Sequence, residues 1–107
     1  MKKNNIFPRK RELSIVDDIS NYLEEHWPYH LDKILLADGF EEAFVGVTES
    51  FGLEPRACYD LVQCLDILMV RDNMTYDEAV EYMEFNVTQA YVGENTPAFI
   101  TMMKDTQ

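Results

Sequence analysis

Apolar residues between Thr75 and Pro97 recur every three or four positions, which is the spacing of an amphipathic helix. Thr75 followed by Glu78 is typical of a capping box, in which a hydroxyl and a carboxylate bind backbone N–H groups that the helix start leaves free. Gly93 and Pro97 are typical of a helix end. We therefore predict a helix from Thr75 to Gly93. Its apolar face consists of Tyr76, Ala79, Val80, Met83, Val87, Ala90 and Tyr91.

Two earlier helices are predicted near the N-terminus. The first begins at Ser14 and ends at Pro28, because proline lacks the backbone N–H that a continuing helix needs. Apolar residues at helical spacing predict a second, shorter helix within residues 29–37. The inner face of the first helix is predicted to consist of Ile15, Val16, Ile19, Tyr22, Leu23 and Trp27.

A short sheet is predicted in the middle of the chain. Residues 40–51 fit either a helix or a strand, and we favour a strand over residues 43–48 with Gly46 at a bulge or a close approach. Residues 56–59 are its expected hairpin partner. A third strand follows Pro97 and is expected to join this hairpin.

Asp60 followed by Gln63 is a second capping pattern, and it predicts a helix through Arg71. The elements together predict an α+β domain: N-terminal helices, then a small antiparallel sheet in the order β-β-α-α-β, packed against two C-terminal helices. A chain of 107 residues suffices for one modest core. We therefore expect residues 12–107 to form a single acidic domain and residues 1–11 to form a flexible basic arm.

Charge is distributed unevenly along the chain, whose formal net charge is −11. Five of the nine basic residues precede the first acidic residue, Glu12, so the remaining four accompany all 20 acidic residues. This excess is larger than the net charge of about 2–8 that serves solubility in a small domain. The negative electrostatic field of such a protein repels nucleic acid and anionic membrane surfaces and attracts basic proteins. The plainer alternative is that the acidity only keeps the protein in solution.

Cysteine content and hydropathy indicate a reducing compartment. Cys58 and Cys64 are too few for a disulfide framework, no signal-peptide pattern precedes them, and we expect both thiols to pack as small core residues. No apolar run approaches the roughly 18 residues that a membrane span needs. We therefore expect a cytoplasmic protein.

The run from Met74 to Phe99, MTYDEAVEYMEFNVTQAYVGENTPAF, resembles a small family found mainly in bacteriophages and prophages, as do ADGFEEAFVGV and YDLVQCLDILM before it. The resemblance covers residues 37–101. It implies a viral origin and the host cytoplasm, and it carries over no activity and no catalytic residue. Asn86 and Thr96 lie within the matching motifs, where a structural and a functional role are both open.

Candidate metal ligands are weak in this sequence. His26 and His30 are four residues apart, as in a helical zinc pair, but Pro28 lies between them and breaks the helix. Carboxylates at helical spacing are potential ligands of a hard cation, although such a face is more often only solvated. They are Asp77, Glu81 and Glu84. We predict no bound metal and no cofactor.

Catalytic patterns are also missing from the sequence. No serine or cysteine stands in a recognisable nucleophile motif, and the four glycines are dispersed rather than grouped into a phosphate-binding loop. We therefore expect a protein that is not an enzyme. A small metal-dependent enzyme is retained as the third alternative.

The leading hypothesis is a small acidic phage-type protein that binds a host or defence protein. Carboxylates along rigid helices resemble the phosphates of a nucleic acid, so they would occupy a basic, normally nucleic-acid-binding surface of that partner. No direct contact with nucleic acid or membrane is expected. The predicted acidic faces consist of Asp17, Asp18, Glu24 and Glu25 on one helix and of Asp77, Glu81 and Glu84 on another.

Aromatic residues beside the acidic faces are candidate anchors for a protein partner, because aromatic side chains are enriched in interface centres. For Phe85 the core and an interface are equally favoured, whereas Tyr82 is expected in the core. The competing hypothesis is a structural or assembly module that forms a homodimer through the sheet edges or the aromatic residues. The candidate anchors are Trp27, Tyr29 and Phe85.

Overall fold

A computed structural model describes residues 7–105 of the chain, and from residue 15 onwards it also describes the side chains. The chain forms two compact units, which divide between Lys33 and Ile34. The first unit contains one long helix, and the second contains a small sheet and two helices. The α+β fold class is therefore confirmed.

Helix α1 of the first unit spans Phe7–His26. The predicted start at Ser14 is wrong, and residues 7–11 of the predicted arm are helical. Residues 1–6 lie outside the described residues. Pro8 does not prevent this earlier start, because proline is tolerated in the first turn, where its missing N–H would have no partner.

The expected helix within residues 29–37 is not formed. Only a 3₁₀ turn, Pro28–His30, follows α1. A short apolar pattern does not suffice for a helix, because nucleating a helix costs more free energy than a few backbone hydrogen bonds provide. The buried part of α1 is also narrower than predicted, since Ile19 and Leu23 are buried while Val16 and Tyr22 are exposed.

The second unit contains a three-stranded sheet in the order β1-β2-β3. Its strands are β1 (Phe44–Thr48), β2 (Arg56–Asp60) and β3 (Ala98–Ile100). The predicted hairpin is confirmed, and β1 pairs antiparallel with β2 through a register shift between Phe44 and Gly46. Gly46 has a φ of 151° at this bulge, a backbone conformation that only glycine adopts readily.

The sheet is mixed rather than antiparallel throughout, because β3 pairs parallel with β2. Parallel neighbours need a long crossover connection, and the two helices between β2 and β3 provide it. The hydrophobic pattern of a strand this short contains no signal for its direction. The predicted element order was therefore right, and the predicted orientation of β3 was wrong.

Helix α2 spans Leu61–Arg71 and begins where it was predicted to begin. Asp60 Oδ1 accepts hydrogen bonds from the backbone N–H groups of Val62 at 3.0 Å and Gln63 at 3.3 Å. Asn73, with a φ of 56°, then turns the chain towards the next helix.

Helix α3 spans Tyr76–Met83, and its capping box is confirmed. Thr75 N–H donates to Glu78 Oε1 at 2.9 Å, and Glu78 N–H donates to Thr75 Oγ1 at 3.2 Å. The predicted end at Gly93 is wrong. After Met83 the chain makes one wider π-helical turn, Glu84–Thr88, and then leaves the helical path.

Tyr59 lies at the centre of the second unit's core. Its ring lies between those of Phe44 and Phe99, with centroid distances of 5.7 and 5.8 Å. Its hydroxyl oxygen accepts a hydrogen bond from Ala37 N–H at 2.8 Å, and burial raises the pKa of Tyr59 to about 12. This bond attaches the irregular segment before β1 to the sheet.

The two cysteines are buried and free. Burial raises the pKa of Cys64 to about 12 and also raises that of Cys58. Both therefore remain thiols at neutral pH and pack as small apolar residues, as predicted from the sequence.

Candidate functional site

The acidic face of α1 lies on the side of the helix away from its buried residues. Positions i, i+1, i+7 and i+8 share one side of an α-helix, and Ile19 and Leu23 fall on the opposite side. All four carboxylates are exposed, and Glu25 lies 3.6 Å from His26 Nε2. The α1 face consists of Asp17, Asp18, Glu24 and Glu25.

A second set of carboxylates, which we term the α3 row, consists of Asp77, Glu81 and Glu84. These residues are exposed at positions i, i+4 and i+7, which span about 10 Å along the helix axis. None of the ion pairs described for residues 15–105 includes a member of the row.

The α3 row is not explained by the stability of its helix. Asp77 lies in the first turn, where a negative charge is favourable, but Glu81 and Glu84 lie near the C-terminal end, where it is unfavourable. No basic residue occupies the last turn of α3. Like charges at i, i+3 and i+4 also repel one another. Glu81 and Glu84 therefore lower the stability of the helix that carries them, whereas Asp77 does not.

An apolar groove of about 710 Å³ lies beside α3 in the second unit. Leu65 and Met83 are buried and form its floor, while Val80 and Phe99 are partly exposed along it. Two tyrosines stand at its rim with most of their surface exposed, 58% for Tyr76 and 72% for Tyr91. A cleft of this size lies within the range of about 300–1,000 Å³ for ligand sites.

The groove and the α3 row are neighbours on the same helix. Tyr76, Val80 and Met83 line the groove, and each is followed directly by a member of the α3 row. Successive residues of a helix are rotated by about 100°, so the carboxylates run along one side of the groove. Glu84 belongs to both, because it also lines the groove.

The π-helical turn at the end of α3 is stabilised by two side chains. Asn86 Nδ2 donates to Tyr82 O at 3.2 Å, and Thr88 Oγ1 donates to Met83 O at 3.2 Å. A π turn interrupts the i to i+4 hydrogen-bond pattern, and these bonds supply donors to carbonyls of the preceding turn. Asn86 therefore has a structural role.

Thr96 also has a structural role, in the loop between the π-helical turn and β3. Its hydroxyl accepts a hydrogen bond from Val92 N–H at 2.9 Å and donates one to Gly93 O at 2.6 Å. The side chain is buried. Pro97 then follows Thr96 directly and leads into β3.

The three predicted aromatic anchors are divided between the two units, with Phe85 in the second. Trp27 and Tyr29 belong to the first unit, where Trp27 is half-buried with its ring 6.0 Å from that of His30. Tyr29 is almost fully exposed. Phe85 is 74% exposed, so it is not a core residue, and the expected core position of Tyr82 is wrong because that side chain is also exposed.

The two histidines do not form the zinc-type pair that the sequence raised as a candidate. Their rings lie against different aromatic side chains, His26 at 5.0 Å from Tyr22 and His30 at 6.0 Å from Trp27. Within the described part of the chain, no three His, Cys, Asp or Glu side chains are grouped so that they could hold a metal ion. None of the helices described there is both long and apolar enough to span a membrane.

Sequence reasoning missed the groove. It assigned the lining residues Tyr76, Val80, Met83, Ala90 and Tyr91 to one apolar face of a long helix. Helix α3 instead ends at Met83, and Ala90 and Tyr91 line the groove from the chain beyond it. The available signal was the pair of tyrosines at the two ends of that face, since tyrosine often lies between apolar surroundings and water. No protein-family model, curated protein or solved structure matches the chain.

Proposed function

We propose that this protein binds a basic, nucleic-acid-binding protein of a host or its defence system and competes with nucleic acid for that partner. The observation that carries the proposal is the α3 row: three exposed carboxylates that take part in none of the described ion pairs, two of which lower the stability of their helix. Binding sites commonly contain residues that lower stability, because function and stability make different demands on the same surface. Binding a positively charged surface is the function that the chemistry of the row fits best.

Physical chemistry supports competition with nucleic acid for a basic surface. Nucleic acid binds basic surfaces largely through its phosphates, and a rigid row of carboxylates can make the same kind of contact. The α1 face adds to the negative field, and the net charge of −11 accelerates encounter with a cationic partner. The proposed setting is the cytoplasm of a bacterial host, as the resemblance to phage proteins implies.

The test uses purified bacterial DNA-binding and defence proteins, each loaded with a fluorescein-labelled duplex. We expect the acidic protein to displace the duplex from at least one of them, and to do so less well as salt rises from about 50 to 200 mM. The variant Asp77→Asn/Glu81→Gln/Glu84→Gln should need at least about tenfold more protein for the same displacement.

The matched control neutralises three exposed carboxylates outside the row, Glu49→Gln/Asp66→Asn/Asp105→Asn, so that the net charge changes equally. This control should displace the duplex almost as well as the unmodified protein. The proposal is wrong if the protein displaces the duplex from no member of the panel. It is also wrong if displacement is the same at low and high salt and the same for the row variant and the unmodified protein.

A second candidate, assembly into a homodimer, is favoured by one observation. Strand β1 is an edge strand, and the connection that follows it exposes Phe51 completely and Leu53 by 64%. Exposed edges and apolar side chains of this kind favour pairing between copies. Light scattering on pure protein distinguishes the candidates, because a stable mass of two chains supports assembly and a monomer at all concentrations excludes it.

A further inference from the structure

We infer that the groove beside α3 receives a segment of the partner that carries one large apolar side chain next to lysine or arginine. The apolar side chain enters between Leu65, Val80 and Phe99, and the basic residues cross the α3 row. This inference rests on the proposed function and specifies the chemistry by which the partner is recognised.

The composition of the groove determines which part of the occupant enters it. Its lining carries one basic residue, Arg56, and one acidic residue, Glu84, so the groove itself is close to neutral and predominantly apolar. Arg56 is held in place because its Nε donates to Glu94 O at 3.2 Å. A purely cationic segment would gain little inside this groove, whereas an apolar side chain would be removed from water there.

The surroundings of the groove determine what flanks that apolar side chain. On the α3 side the neighbouring charges are Asp77, Glu81 and Glu84, all negative and exposed. A segment with acidic flanks would be repelled, and a segment with basic flanks would be attracted. Charge complementarity therefore selects a basic segment of a protein over a neutral or acidic one.

The two rim tyrosines fit a peptide occupant. Tyr76 and Tyr91 present both apolar ring surface and a hydroxyl, and such residues contribute strongly to protein interfaces. The stem of a lysine or arginine can lie along such a ring while its charged end reaches a carboxylate. The rim thus links the apolar part of the site to the charged part.

The probe is a displayed library of random peptides of about twelve residues, selected on the unmodified protein and then synthesised with a fluorescent label. We expect enriched peptides to combine a large apolar residue with neighbouring lysine or arginine. Ala90→Trp fills the groove from an exposed position of its lining and should weaken binding of an enriched peptide at least about tenfold. The control Val70→Trp adds the same side chain at an exposed site of α2 outside the lining and should leave binding unchanged.

Tyr91→Ala removes a rim residue without filling the groove and should also weaken peptide binding. It therefore provides the test if Ala90→Trp does not fold. Equal binding by the groove variants and the control, enrichment of peptides without basic residues, or no enrichment would each overturn the inference. The duplex-displacement assay distinguishes failure of the proposed function from failure of this inference. If the unmodified protein displaces duplex and Ala90→Trp does so equally well, the function stands without the groove, and if neither displaces it, the function itself is wrong.

Discussion

The acidic face of α1 and the α3 row look equivalent in the sequence and differ in their surroundings. Both consist of exposed carboxylates at helical spacing. The α1 face lies opposite a buried stripe, as on any surface helix, whereas the α3 row borders an apolar groove and includes one of its lining residues. Charge spacing therefore identifies a solvated helix face, and only a neighbouring apolar surface makes such a face a candidate binding site.

Charge reversal on the two helices is the strongest test of this difference. Glu81→Lys/Glu84→Lys should weaken displacement of a labelled duplex from the basic partner about 100-fold, because two attractive contacts become repulsive. Glu24→Lys/Glu25→Lys makes the same change in net charge on α1 and should weaken displacement only a few-fold. Equal losses for both variants would show that net charge alone determines binding.

Removal of the α3 cap has a smaller effect and acts through stability. Thr75→Ala leaves the backbone N–H of Glu78 without its side-chain acceptor and should lower the free energy of unfolding by about 1 kcal/mol. Thr75→Ser keeps the hydroxyl and serves as the control, with little change expected. Urea denaturation followed by circular dichroism measures both variants, and equal stability of the alanine and serine variants would contradict the capping role.

The smallest expected effect concerns the cost of the α3 row. Glu81→Gln/Glu84→Gln should raise the free energy of unfolding by a few tenths of a kcal/mol, because it removes like-charge repulsion and negative charge near the C-terminal end of α3. Asp77→Asn should not raise it, since Asp77 lies in the first turn, where its charge is favourable. If the double variant is less stable than the unmodified protein at low salt, stability does explain the row.

Local signals predicted the elements that depend on neighbouring residues. Capping patterns at Asp60 and Thr75 correctly located the starts of α2 and α3, because a cap involves residues only two or three positions apart. The hairpin of β1 and β2 was also predicted, since a short connection joins residues that pair. Asp77, Glu81 and Glu84 were correctly expected on an exposed face for the same local reason.

The features that were missed have different causes. The direction of β3 follows from the path of the helical crossover, and the early end of α3 depends on a π turn that Asn86 and Thr88 stabilise through backbone carbonyls. The start of α1 at Phe7 was missed because clustered positive charge is also typical of a flexible arm. Tyr82 and Phe85 were hard to place, because periodicity does not show which helix face meets another element.

By itself, the sequence determined the α+β class, the two capped helices, the hairpin and the exposed carboxylates, because each follows from spacing and side-chain chemistry within a few residues. The tertiary structure alone decided that β3 runs parallel to β2 and that the chain after α3 turns away. It also decided that an apolar groove opens beside one acidic helix. The strand direction and the groove arise where segments far apart in the chain meet, and no local pattern encodes how much of their apolar surface the packing covers.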